Sequence, residues 1–172
     1  FAIGSFAEAT SANTIAFGTK ATASAMNGMA VGTDAKASGT DAIASGVGSL
    51  ADNTKAIAFG PFAKATGSKS MALGSSAHAT GDGSLAAGSL AKADGVNSIA
   101  IGSDAYATGE DAFTAGFKSS ATAANALALG SSAKASAVNS LALGSSAEAS
   151  GVGSYAAGLE AKASGSNAMA LG

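Results

Sequence analysis

The chain contains no cysteine, no tryptophan and no arginine, and only one proline among 172 residues. Without cysteine there can be no disulfide staple and no thiolate metal site. Nine scattered lysines against eleven acids leave a net charge of −2. That balance excludes the basic face a nucleic-acid binder presents. Aromatic residues are 5% of the chain, and alanine makes up most of its 47% hydrophobic fraction. A core of ordinary width needs bulkier side chains, so a narrow core is expected. No apolar run approaches the ~20 residues of a membrane-spanning helix. No basic stretch followed by an apolar one marks a signal peptide. Phe1 falls inside a repeat and Gly172 completes one, so the expectation is a fragment of a longer protein without direct membrane contact of its own.

What the chain has in abundance is repetition. Glycine stands at 4, 18, 32, 46, 60, 74, 88, 102, 116, 130, 144, 158 and 172, every fourteenth residue without insertion. Alanine follows five residues after each of the first twelve, and the next position is always Ser, Thr or Asp. Three residues before each later glycine is a large apolar side chain: Ile15, Met29, Ile43, Ile57, Met71, Leu85, Ile99, Phe113, Leu127, Leu141, Tyr155 or Met169. The residue after it is alanine, except at Thr114. Residues 1–172 therefore read as one domain of twelve 14-residue repeats with no internal linker.

A period of 14 with this much glycine fits neither a coiled coil nor an ordinary amphipathic helix. It fits a coil of two short strands and two turns. The first strand is expected over segments like 140–143 and the second over segments like 147–150. The periodic glycine ends the first strand at a positive-φ corner or a close backbone approach. Asn or Asp five residues before the next glycine, at 13, 27, 41, 97, 111, 125, 139 and 167, marks a left-handed residue at the other corner. Stacked coils of this kind form an all-β parallel solenoid. Twelve rungs at ~4.8 Å give a rod roughly 58 Å long. Residues 14 apart then lie in columns, and five of the six charged neighbours at that spacing are opposite in sign, Lys55/Lys69 being the exception.

The two strands differ in their surroundings. In the second, alanines at the third and fifth places after glycine are expected to face inward. The fourth place carries Glu8, Lys36, Lys64, His78, Lys92, Lys134, Glu148 and Lys162, a wet face. The first strand has no face made for water. A two-layered roll buries one face of each sheet, so the other face of the first strand must be covered, most simply by copies of the same chain. Three narrow sheets around an axis leave room for little more than methyl groups. This points Ala16, Ala30, Ala58, Ala72, Ala100, Ala128, Ala142, Ala156 and Ala170 at the axis, with the large residues filling each roll. A face-to-face dimer is the alternative on geometry alone.

The phrases "NSIAIGSDAYATG" (97–109) and "NSLALGSSAEASG" (139–151) resemble the head repeat of trimeric autotransporter adhesins, the YadA-like head, over the whole chain. The resemblance implies a left-handed parallel β-roll assembled as a homotrimer on a stalk, anchored to a bacterial outer membrane by a barrel. It implies adhesion to host cells or extracellular matrix. Lys55, Lys69, Gly83 and Gly153 replace the family's Asn. The rungs with "AIASG" (42–46) and "AFTAG" (112–116), which also carry Ser49 and Ser119, are expected to be looser.

No catalytic, cofactor or metal site is expected. His78 is the sole histidine and lies between Lys64 and Lys92 in the wet column, without an imidazole partner. The hexapeptide acyltransferase helix does not fit, because 14 is not a multiple of six. "GDG" (81–83) lacks the period of a calcium roll. The Ser/Thr/Asp column is single and interrupted by acids, which argues against the paired threonines of an ice-binding solenoid. Its hydroxyls are expected to bond backbone at a corner. Candidate ligand-surface residues are Lys36, Lys64, Lys92, Tyr106, Lys134 and Lys162. A spacer without a ligand is the alternative to adhesion.

Overall fold

The computed structural model describes residues 1–172. Twenty-five strands of two or three residues alternate between two parallel sheets. Thirteen, from Ala2–Ile3 to Met169–Leu171, form the first sheet, and twelve, from Glu8–Ala9 to Lys162–Ala163, form the second. Each strand pairs with those of the coils before and after it in a register of 14 residues. Ala16 lies beside Ala30 in the first sheet and Ala23 beside Ala37 in the second. The ladder is unbroken along the chain, as the uninterrupted spacing of glycine requires.

Two four-residue turns join the strands of each coil. In the first, the carbonyl of the periodic glycine accepts the N–H three residues on, as from Ala91 to Gly88 at 3.3 Å. In the second, the N–H of Ser84 bonds the carbonyl of Gly81 at 3.2 Å. The third residue of each turn is left-handed. At the second turn this is the Asn/Asp column, for example Asn97 at φ 55 and Asn139 at φ 57, in line with the sequence pattern. At the first turn it is a column the sequence does not reveal, with Phe6 at φ 58, Phe62 at φ 57 and Leu90 at φ 60. The composition of that column, mostly Lys, Ser, Asp and bulky residues with one glycine (Gly48), gives no hint of the conformation.

Side chains bond along the corners as well as the backbone. Asn13 donates to Asn27 (3.1 Å) and Asn27 to Asp41 (2.8 Å), forming a ladder up one corner. Thr80 Oγ1 donates to the Asp94 carboxylate at 2.7 Å, and Ser38 does the same to Asp52. These two hydroxyls bond the acid one rung on, rather than the backbone acceptor expected of them, because exact stacking places the carboxylate within reach.

The interior is lined by very small groups. Every buried apolar side chain is alanine, and every buried polar one is Ser or Thr. This reverses the expected orientation of the first strand. Ala16, Ala30, Ala58, Ala72, Ala100, Ala128, Ala142 and Ala156 are fully buried inside the single roll, packed against second-strand alanines such as Ala21 and Ala23. Ala170, at the open end, is partly buried against the same core. None of them points at an axis between chains. The large residues face outward instead. The reason is geometric: side chains alternate along a three-residue strand, and two sheets joined by four-residue turns leave only methyl-sized space between them.

The rungs expected to be loose are internally bonded. Ser49 and Ser119 hydroxyls each donate to the carbonyl of their turn glycine, Gly46 and Gly116, at 2.9 Å. Thr114, the one departure from alanine in its column, donates to Ser119 Oγ at 2.6 Å. The Thr114 hydroxyl is thus satisfied by Ser119, which passes its own hydrogen on to the Gly116 carbonyl.

Candidate functional site

With the interior assigned, two exterior faces remain. The first is the outer face of the first sheet, a stripe of apolar side chains running the length of the rod. Ile15, Phe17, Phe59, Ile101 and Leu171 are exposed along it, Phe59 by 60%. Polar atoms interrupt it only at Ser45, in the fourth first-sheet strand (Ile43–Ser45), and at the Tyr155 hydroxyl. A continuous apolar patch of this size is a candidate interaction surface. It is made by large residues, where the sequence pattern suggested alanine.

The second face is the outer side of the second sheet. Lys36, Lys64, Tyr106, Lys134 and Lys162 are exposed on it and Lys92 is half-buried, so all six candidate ligand-surface residues share it. The register places Lys134 beside Glu148 and Glu148 beside Lys162. Only the second pair closes, with Nζ to Oε2 at 3.6 Å between two exposed groups. The other opposite-charge neighbours form no ion pair, because flexible surface side chains gain little by closing one.

Farther toward the N-terminus the same column breaks the pattern. Lys64, His78 and Lys92 are consecutive partners, with no carboxylate between them. Tyr106 is the next partner after Lys92. Beside this row stand Phe62 and Leu90, each at least half exposed and each at a left-handed turn position. A bulky L-residue in that conformation costs roughly 1–2 kcal/mol. Together these groups line a shallow, open groove of about 360 Å³, with Asp104 at one end.

His78 is held below its ordinary pKa, first by burial and then by the charges of Lys64 and Lys92, with Asp94 opposing them. The folded chain therefore binds the proton less readily than the unfolded chain. Stability is unaffected at neutral pH and falls as pH drops from the unfolded value of ~6.5 through the lower folded value. An NMR titration is expected to place the His78 midpoint below that of an unfolded peptide. Replacing Lys92 with Ser should move it part of the way back, since burial, the larger cause, remains. A midpoint indifferent to Lys92 would contradict this account. No group of three His, Cys, Asp or Glu residues is arranged to hold a metal.

An all-β parallel solenoid of 14-residue coils, with one apolar face to be covered and one wet face repeated at every rung, defines a rod-like repeat protein that assembles side by side. A family model described as "YadA head domain repeat (2 copies)" matches residues 1–21, 9–35, 23–49, 37–63, 65–91, 93–113, 121–147 and 149–172. The chain belongs to the YadA head-repeat family of bacterial surface adhesins, and that membership implies assembly as a trimer. No curated protein matches. Among solved structures, the chain is similar to the collagen-binding domain of the Yersinia adhesin YadA. Identity is 30% over 86% of this chain and 67% of that one, with a TM-score of 0.38.

Proposed function

We propose that this chain is the head of a trimeric adhesin that attaches bacteria to host cells or extracellular matrix. The rest of the protein would anchor it to the outer membrane. The observation that carries the reading is the division of the rod into an apolar stripe and a wet, lysine-bearing face. Covering the stripe with two sister chains leaves three copies of the wet face outward. Lys36, Lys64, Lys92, Tyr106, Lys134 and Lys162 are then presented on each copy, the lysines of each run on every second rung. Contacts of this kind are individually weak and act through avidity, since the second and third engagements are effectively intramolecular.

Binding to a panel of immobilised matrix proteins tests the reading. Rods of twelve and of six coils should both fold, because each coil contacts only its neighbours. On a ligand that binds the long rod, the short rod is expected to lose about a hundredfold in apparent affinity. A loss merely proportional to length would contradict the avidity mechanism. No binding to any matrix protein or host cell would favour a spacer.

A further inference from the structure

We propose that the groove around Lys64, His78 and Lys92 docks an acidic peptide segment that also carries apolar side chains. The inference rests on the adhesion reading and narrows it to one place and one chemistry. Two features that oppose folding coincide on these rungs. Lys64 and Lys92 flank His78 on consecutive rungs, about 4.8 Å apart, with no carboxylate in the row to offset them. Alongside them, Phe62 and Leu90 adopt left-handed backbone that bulky residues avoid, and hold their side chains in water. Elsewhere the two do not coincide: the left-handed Phe6 has Glu8 two residues on, where Phe62 has Lys64. At the equivalent turn position Ser132 and Ser146 take the same conformation with a small polar side chain, as does Ser76 between Phe62 and Leu90 in the groove itself. The equivalent strand row near the C-terminus alternates in sign through Lys134, Glu148 and Lys162.

Such local costs persist where a binding role retains them. Charge complementarity identifies the occupant. The cationic row runs from Lys64 to Lys92 without a carboxylate in it; Asp94, two residues past Lys92, and Asp104, at the end of the groove beside Tyr106, offset it only in part. An anionic ligand complements the charge that remains. A sulfated glycan or polyphosphate would meet the cations and leave Phe62 and Leu90 unused. A peptide with both carboxylates and apolar side chains satisfies the two columns together, with Tyr106 closing one end.

The test uses the full chain and a short fluorescent peptide of repeated Glu-Glu-Leu, with repeated Glu-Glu-Ser and heparin as comparisons. Anisotropy is expected to show the Leu peptide binding about tenfold more tightly than the Ser peptide. The double variant Phe62→Ser, Leu90→Ser should abolish that difference. It should also fold normally, because serine already occupies this turn position. Lys64→Ser with Lys92→Ser should weaken both peptides, and circular dichroism should show the ladder intact. Equal binding of the two peptides, or heparin binding that ignores Phe62 and Leu90, would leave only a charged surface and overturn the proposal. So would loss of the trimer in the serine double variant, which would assign Phe62 and Leu90 to contacts between chains. Failure of the peptide while the rod still adheres to matrix would sink this site and leave the adhesion reading standing.

Discussion

Gly74→Ala is expected to lower the melting temperature by roughly 10 °C, several times the effect of an ordinary surface substitution. Gly74 has a φ of +133, a conformation L-residues rarely adopt. A Cβ there would lie 2.6 Å from the carbonyl oxygen of Gly88 and 2.8 Å from its carbon. Both are backbone atoms of the next rung, so no rotamer change relieves the overlap. Backbone strain alone is of order 1–3 kcal/mol, and the steric conflict adds to it. The position is also a link in a stack where every coil is held by its neighbours. Forcing two rungs apart divides the rod rather than loosening one turn. Thermal unfolding followed by circular dichroism checks the prediction, with the exposed neighbour Ser89→Ala as a control that should melt like the parent. A melt for Gly74→Ala within a degree or two of the parent would show that the close approach of rungs is not needed.

The second large effect concerns assembly. Introducing lysine at Ile57 and Phe59 together should convert the trimer to single chains or disordered aggregates. Both side chains lie on the outer face of the first sheet, on either side of the buried Ala58. In the trimer the double variant would place six ammonium groups in the interface. Removing one such ion from water costs several kcal/mol when it has no partner. Each large apolar side chain replaced there also forfeits about 1.5–3 kcal/mol of burial. Sedimentation equilibrium should report a mass near one 15.9 kDa chain, or loss of soluble material. Lys64→Ser, on the opposite face, should leave the trimer intact. An unchanged trimer in the lysine double variant would mean that the stripe is not the surface that joins the chains.

Much of this architecture is readable from the periodicity. The fourteen-residue coil, the two strands, the parallel register, the glycine corner and the left-handed Asn/Asp corner all follow from columns that repeat in step. Each column is a local requirement imposed again at every rung. The left-handed residue of the first turn is hidden, because its column holds Phe62, Leu90, Lys118 and Glu160 with almost no glycine or asparagine. There the ladder bonds on both sides override intrinsic preference. Leu90 N–H donates to the carbonyl of Ser75 at 2.9 Å, continuing the pairing around the corner. The row of Lys64, His78 and Lys92 follows from the period, but the groove it forms with Phe62 and Leu90 depends on that left-handed turn. Its residues form two columns at 14-residue spacing, 62 to 104 and 64 to 106, over four coils.

The orientation of the first strand shows where pattern and packing part. An apolar strand with one face in and one face out can be read both ways. The sequence reading turns the alanines toward the sister chains and the large residues into the roll, whereas the structure buries the alanines in the roll and turns the large residues outward. A signal for the true answer is present: the middle column admits nothing larger than Thr114, whereas the flanking columns range from Ala87 and Ser45 to Phe59 and Tyr155. A closed interior between tightly turned sheets tolerates no such range of volumes, and an outer surface does. The sequence by itself determined the coil, its period and its stacking, because those depend on residues close in the chain and repeated at each turn. Which face is core and which is turned outward was decided only by the tertiary structure, because that depends on the distance between two sheets, and the turns that set it bring together residues no single column describes.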